Sequence, residues 1–133
     1  MLSLIFALFL LSLSILYAQR SDLNAAKVVI ITSWVGGSLV GYGLIPSNTN
    51  DLILIIIPLI SIIPKILKGQ SIRMPFISFF LLIFIFSVAS TYANDSGIVR
   101  LAFFNRYFIQ YYLILLFFVN SDIDDSDIIQ INR

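Results

Sequence analysis

The sequence predicts an all-α fold: a polytopic integral membrane bundle of about five transmembrane helices. Two observations predict it. Five apolar stretches fill most of the chain, at residues 1–18, 28–45, 52–67, 76–93 and 101–119, and the polar breaks between them are only 6 to 9 residues long. Charge is also scarce, with 59% hydrophobic and 11% charged residues, against roughly 25% charged in soluble domains. Eighteen helical residues rise about 27 Å, close to the ~30 Å hydrocarbon core of a bilayer.

The first stretch, 1–18, has no basic residues before its apolar core, although Leu16-Tyr17-Ala18-Gln19 resembles a cleavage site. An export signal precedes soluble sequence, whereas here a second span follows after nine residues. A retained first helix is therefore expected. With no basic flank, its N-terminus lies outside, or the true start is upstream. The second stretch holds Gly36, Gly37, Gly41 and Gly43, so Gly37 and Gly41 form a GxxxG pair. Glycines four apart share a helix face and let a neighbouring backbone approach closely. They are expected to pack within the bundle or at a dimer interface, or to make a flexible point beside a lipid substrate, and to matter more than Gly43. The third stretch carries Pro58 and Pro64. Each removes a backbone donor, and Pro58 is expected to bend the helix while Pro64 marks its end.

Lys and Arg in short loops set orientation. The four connections hold 2 (Arg20, Lys27), 0, 3 (Lys65, Lys68, Arg73) and 1 (Arg100) such residues. The alternation places the first and third connections in the cytoplasm and the second and fourth outside.

The fifth stretch is the most informative of the five. Arg100, Asn105, Arg106, Tyr107, Gln110, Tyr111 and Tyr112 run into an otherwise apolar helix. Arg106 and Gln110 are i and i+4, as are Tyr107 and Tyr111, so one side is expected to present guanidinium, amide and phenol together. An ionisable group within a span faces a bundle interior or a wet cavity, or else snorkels to the headgroups, and Tyr at a span end commonly forms an interfacial belt. If the site is functional, Arg100, Arg106, Asn105, Tyr107 and Gln110 bind a lipid-linked pyrophosphate, which guanidinium groups grip bidentately.

Composition excludes several classes. The chain has no Cys and no His, and all seven acids are Asp. That removes thiol and imidazole nucleophiles and bases and the usual zinc and haem ligand sets, so no metal or cofactor is expected. The net charge of +1 gives no basic surface for nucleic acid. The expected partners are membrane lipid and further helices. The tail, 120–133, is acidic, with Ile123, Ile128, Ile129 and Ile131 recurring through it. It reads as a surface amphipathic helix or as a loop toward a sixth span.

The run Gly43-Leu-Ile-Pro-Ser-Asn-Thr-Asn-Asp51 before an Ile/Leu-rich span resembles the early helices of the O-antigen polymerase and O-antigen ligase family. So do the basic turn Lys65–Arg73 leading through Met74-Pro75, the segment Ser87–Asp95, and Arg100-Leu101 with Asn105-Arg106-Tyr107. The resemblance covers roughly Gly36 to Val119. It implies a bacterial inner-membrane, multi-pass glycosyltransferase acting without metal on undecaprenyl-pyrophosphate-linked glycans at the periplasmic face. The family's signature periplasmic loop, with its functional Arg and His, has no counterpart in these residues. No catalytic residue is therefore assigned, and the chain reads as the N-terminal portion of such a protein. The alternatives are a small membrane packing protein or a piece of a transporter. Transport predicts broken helices in an inverted repeat, and only one Pro-interrupted span is found.

Overall fold

The computed structural model describes residues 2–94 and 97–124, without the side chains of Leu2, Ser47, Ile98, Arg100, Ala102, Phe103 and Phe104. Among the described residues all five secondary-structure elements are α-helices: α1 (Leu2–Ala18), α2 (Asp22–Gly41), α3 (Ser47–Leu67), α4 (Ile77–Ala93) and α5 (Gly97–Asn120).

Several boundaries differ from the apolar stretches, because capping chemistry rather than hydropathy sets them. α2 starts six residues before residue 28, where Ser21 in extended conformation accepts a hydrogen bond from the Asn24 N–H at 3.1 Å. A serine cap satisfies one of the orphan amides of a helix start, and Asp22 beside it complements the positive end of the helix dipole. α3 begins at Ser47 behind an extended Pro46, so the polar run that hydropathy assigns to a loop is helical. α2 and α3 end alike. Gly43 and Gly69 sit at φ 70° and 71°. Leu44 and Gln70 donate to Leu39 and Lys65 carbonyls five residues back, while Gly43 and Gly69 donate to Val40 and Ile66. This is the Schellman arrangement, which requires a left-handed residue and selects glycine. α3 continues through both prolines, and Lys65 belongs to its last turn rather than to the following loop.

The core lies where α1, α2, α3 and α5 meet. Ala18, Ala25, Ala26, Val29, Ile53, Leu54, Ile57, Ile62 and Phe117 pack there, with Ile57 and Phe117 among the largest fully buried side chains. Ala25 and Ala26 leave no accessible surface and let α3 approach α2 closely. α4 stands aside from this core and packs chiefly on α5.

The expectation that Gly37 and Gly41 pack within the bundle is not met. Nothing lies within 4 Å of where a Cβ would stand at Gly37 or Gly41, and both are exposed. The packed glycine is Gly36, where a Cβ would fall 1.8 Å from Asn50 Oδ1 of α3. Within the chain, the tight crossing of α2 and α3 falls at Gly36 alone. Gly43 matters for its left-handed backbone instead.

Large apolar side chains stay exposed around the bundle, among them Leu8 and Phe9 on α1, Trp34 (84% exposed) on α2, Leu67 on α3, and Ile85 and Phe86 on α4. Two helices are long and apolar enough to cross a membrane, Asp22–Gly41 and Asn48–Leu67, while Ser3–Ala18 and Ile77–Ala93 are shorter apolar helices. Of the tail, Ser121–Asp124 is not helical, and Ile123 packs against the core. Ile128, Ile129 and Ile131 lie outside the described residues.

Candidate functional site

The polar residues of α5 are shared out among three environments. Asn105 is 2% exposed. Its Nδ2 donates to Ser87 Oγ of α4 at 2.8 Å and to the Leu101 carbonyl one turn earlier at 2.9 Å. The amide thus fastens α4 to α5, and an interhelical hydrogen bond away from water gives the pair a register. Its Oδ1 is buried without a hydrogen-bond partner, as are Gln110 Oε1 and the Tyr112 hydroxyl. Gln110 itself is 3% exposed. The Tyr112 ring stacks on Phe80 of α4 with centroids 4.2 Å apart, and Phe108 stacks on the same ring at 5.0 Å.

Arg106 turns toward α3. Its Nη1 lies 3.4 Å from Asp51 Oδ2, and both side chains are largely buried. Its Nη2 donates to the Tyr107 hydroxyl, and Cζ stands 4.4 Å over the Tyr107 ring centroid. The guanidinium is therefore held by a carboxylate and by the face of a phenol.

At the opposite end of α3 is a second cation. Lys65 Nζ donates to Asp22 Oδ2 at 2.8 Å, to Asp122 Oδ2 at 3.1 Å and to the Asn120 carbonyl. Asp22 Oδ2 also accepts from the Asp122 N–H at 2.9 Å. The Asn120 side chain accepts from the Arg73 N–H at 2.8 Å and donates to the Arg73 carbonyl at 2.9 Å. The ammonium meets three acceptors, matching its three protons. The start of α2, the end of α3, the following loop and the end of α5 are thereby drawn to one point. A polar pocket of about 420 Å³ opens beside it, lined by Lys65, Gln70, Ser71, Ile72, Asn120 and Asp122.

These two ends share a register. Asp51 and Lys65 are 14 residues apart on α3, and Arg106 and Asn120 are 14 apart on α5, about 21 Å on each helix. α3 and α5 therefore run parallel, stitched at both ends with equal spacing. Arg20, Lys65, Lys68 and Arg73 gather at the clamp end, and Asp51 with Arg106 toward the other.

Of the predicted site residues, Arg106 and Tyr107 are brought together, while Asn105 faces α4 and Gln110 is buried. Tyr107 and Tyr111 are exposed. The guanidinium and the Tyr107 phenol thus meet, while the Gln110 amide is buried and the Asn105 amide binds Ser87 of α4. The side chain of Arg100 lies outside the described residues. Sequence reasoning missed Asp51, Ser87 and the Lys65 clamp. One signal was available for Asp51: it and Asp95 are the only acids in the two connections that the charge tally assigns to a common side. Comparison with protein-family models, with curated proteins and with solved structures finds no match to this chain.

Proposed function

We propose that the chain is a multi-pass helix bundle of the bacterial inner membrane. The observation that carries this reading is the surface of the helices. α1 and α4 keep Leu, Ile and Phe exposed on their outward sides with no polar face to offer water. Exposed apolar area on this scale is unfavourable in water by roughly 25 cal/mol per Å², whereas lipid tails accept it without cost. The 17 residues of α1 and of α4 meet the lower end of the ~17–25 that cross a bilayer. Tyr42 and Tyr92, 82% and 88% exposed, end α2 and α4 on the Arg106 side, as an interfacial aromatic belt would. The clamp end, richer in Lys and Arg, then faces the cytoplasm. Resistance to alkaline carbonate extraction tests the membrane assignment. Cysteine scanning tests orientation, because the native chain has no Cys. A Cys at Asn48 should label with an impermeant reagent from outside and one at Ser71 should not, and the converse pattern reverses the topology.

The narrower proposal rests on the resemblance. In it the chain supplies membrane helices to an envelope polysaccharide polymerase or ligase that acts on polyprenyl-pyrophosphate-linked glycans, with Arg100, Asn105, Arg106, Tyr107 and Gln110 on the side of the substrate. Arg106→Ala should then abolish complementation of surface polysaccharide, and Arg106→Lys should impair it partially, since lysine keeps the charge and loses the fork. A second reading is favoured by Asp51, whose carboxylate already engages Arg106. There the arginine serves packing, and the chain acts as a packing protein or a transporter segment. An Asp51→Arg, Arg106→Asp exchange separates the two. It preserves the pair and the polysaccharide if the arginine only packs, and loses the polysaccharide if its position binds an anion.

A further inference from the structure

The Lys65 clamp and the Arg106 pair leave one feature of the bundle without a role: a long groove between α1, α2 and α3, of about 300 Å³. Leu10, Ser14, Val35, Leu39 and Ile53 are among the residues that line it, and Lys27 stands at one end. Along α2 the lining runs from Lys27 to Leu39, 12 residues, or about 18 Å. A volume this modest spread over that length admits a single extended alkyl chain and excludes a compact or planar ligand. The length is close to one leaflet of a ~30 Å hydrocarbon core.

Lys27 gives the groove a polarity. Among the described residues it has no acidic partner: the ion pairs formed there engage Lys65 and Arg106. It lies toward the clamp end of α2, one and a half turns after Ser21, near the turn that carries Arg20. An apolar channel one leaflet long that ends in an uncompensated cation complements a molecule with an alkyl chain and an anionic head. We infer that this groove holds one acyl chain of an anionic glycerophospholipid, with its phosphate at Lys27. The leaflet-length groove and its position at the cation-rich end favour a glycerophospholipid over a polyprenyl phosphate, whose branched chain is longer and whose head the narrower proposal above places at the opposite end. The inference rests on the membrane reading of the bundle and assigns it a lipid that is neither substrate nor bulk solvent.

The test uses the full chain purified in detergent and offered equal amounts of phosphatidylglycerol and phosphatidylcholine, with retained lipid read by native mass spectrometry. Wild type should retain phosphatidylglycerol in preference. Lys27→Gln should reduce that preference about fivefold, the order expected for one basic residue at an anionic surface, while Lys68→Gln should leave it in place. Thr32→Trp, which fills the groove, should reduce retention of both lipids. A photoactivatable phosphatidylglycerol should crosslink wild-type protein at Leu10, Val35 or Leu39, a readout that needs no variant to fold. Equal retention of the two lipids by wild type, or crosslinks confined to other faces, would overturn the site while leaving a membrane-embedded bundle intact. Displacement of phosphatidylglycerol by equimolar undecaprenyl phosphate would overturn the choice of lipid. Extraction of the chain from membranes by carbonate would remove the membrane reading and this inference together.

Discussion

The two ends of the α3–α5 pair solve the same problem differently. At one end Lys65, from the last turn of α3, is surrounded by Asp22, Asp122 and the Asn120 carbonyl, so it gathers segments from three helices. At the other, Arg106 of α5 meets one carboxylate, Asp51, at 3.4 Å and lies against its neighbour Tyr107. Lys65, in the last turn of α3, also meets the negative end of that helix's dipole. The difference is in how many elements depend on each charge. Removing Lys65 releases α2, α3 and the segment after α5 at once and leaves two carboxylates facing each other. Removing Arg106 breaks a single ion pair between α3 and α5. The clamp end thus joins more elements than the Arg106 end.

That contrast can be broken or sharpened by mutation, with unfolding followed by SDS or denaturant titration in a fixed detergent. Lys65→Ala should have the largest effect, about 2–3 kcal/mol, somewhat below a fully buried pair because its side chain retains 17% exposure. A loss no larger than that of Arg106→Ala would erase the asymmetry. Next is Gly36→Leu, which drives a side chain into Asn50 beside Asp51 and should cost about 1–3 kcal/mol. Gly37→Leu and Gly41→Leu point into open space and should be nearly neutral, with Gly43→Leu between them because of its left-handed backbone. Equal losses at Gly36, Gly37 and Gly41 would restore a GxxxG interface. The Asp51–Arg106 coupling, measured by a double-mutant cycle with Asp51→Asn and Arg106→Gln, should be about 1 kcal/mol. A coupling near zero would detach the two helices at that end. Asp122→Asn should be smallest, within about 0.5 kcal/mol, because the Asp122 side chain is 92% exposed. A larger loss would show that the tail, and not Asp22, holds Lys65.

These effects bear on how the bundle coheres. Burial of apolar surface drives helices together in water, but lipid tails are as apolar as leucine and supply no such force. In a membrane the contacts that remain are close packing, as at Ala25, Ala26 and Gly36, the Asn105–Ser87 hydrogen bond, and the ion pairs of Lys65 and Arg106. The buried acceptors of Asn105, Gln110 and Tyr112 are the uncompensated cost on the α4 and α5 side, where the fold has fewest neighbours.

Hydropathy and spacing alone determined that the described residues are helical, that their apolar runs form five helices, and that polar groups reach into α5. Those properties follow from local composition: an apolar run of about eighteen residues has few alternatives to helix, and glycine or a capping serine ends or starts one. The register of the polar groups was a different matter. Nothing local distinguishes Gly36 from Gly37, and only the position of Asn50 on α3 selects the first. Lys65 reads as a loop cation until Gly69 closes the helix behind it and Asp22, 43 residues earlier, is brought to its ammonium. Asp51 and Arg106 meet because α3 and α5 run parallel with the same 14-residue spacing between their fastened positions. Tertiary structure decided those partnerships because each depends on the rotation of one helix about its axis against another, and a shift of one residue turns a side chain by about 100°.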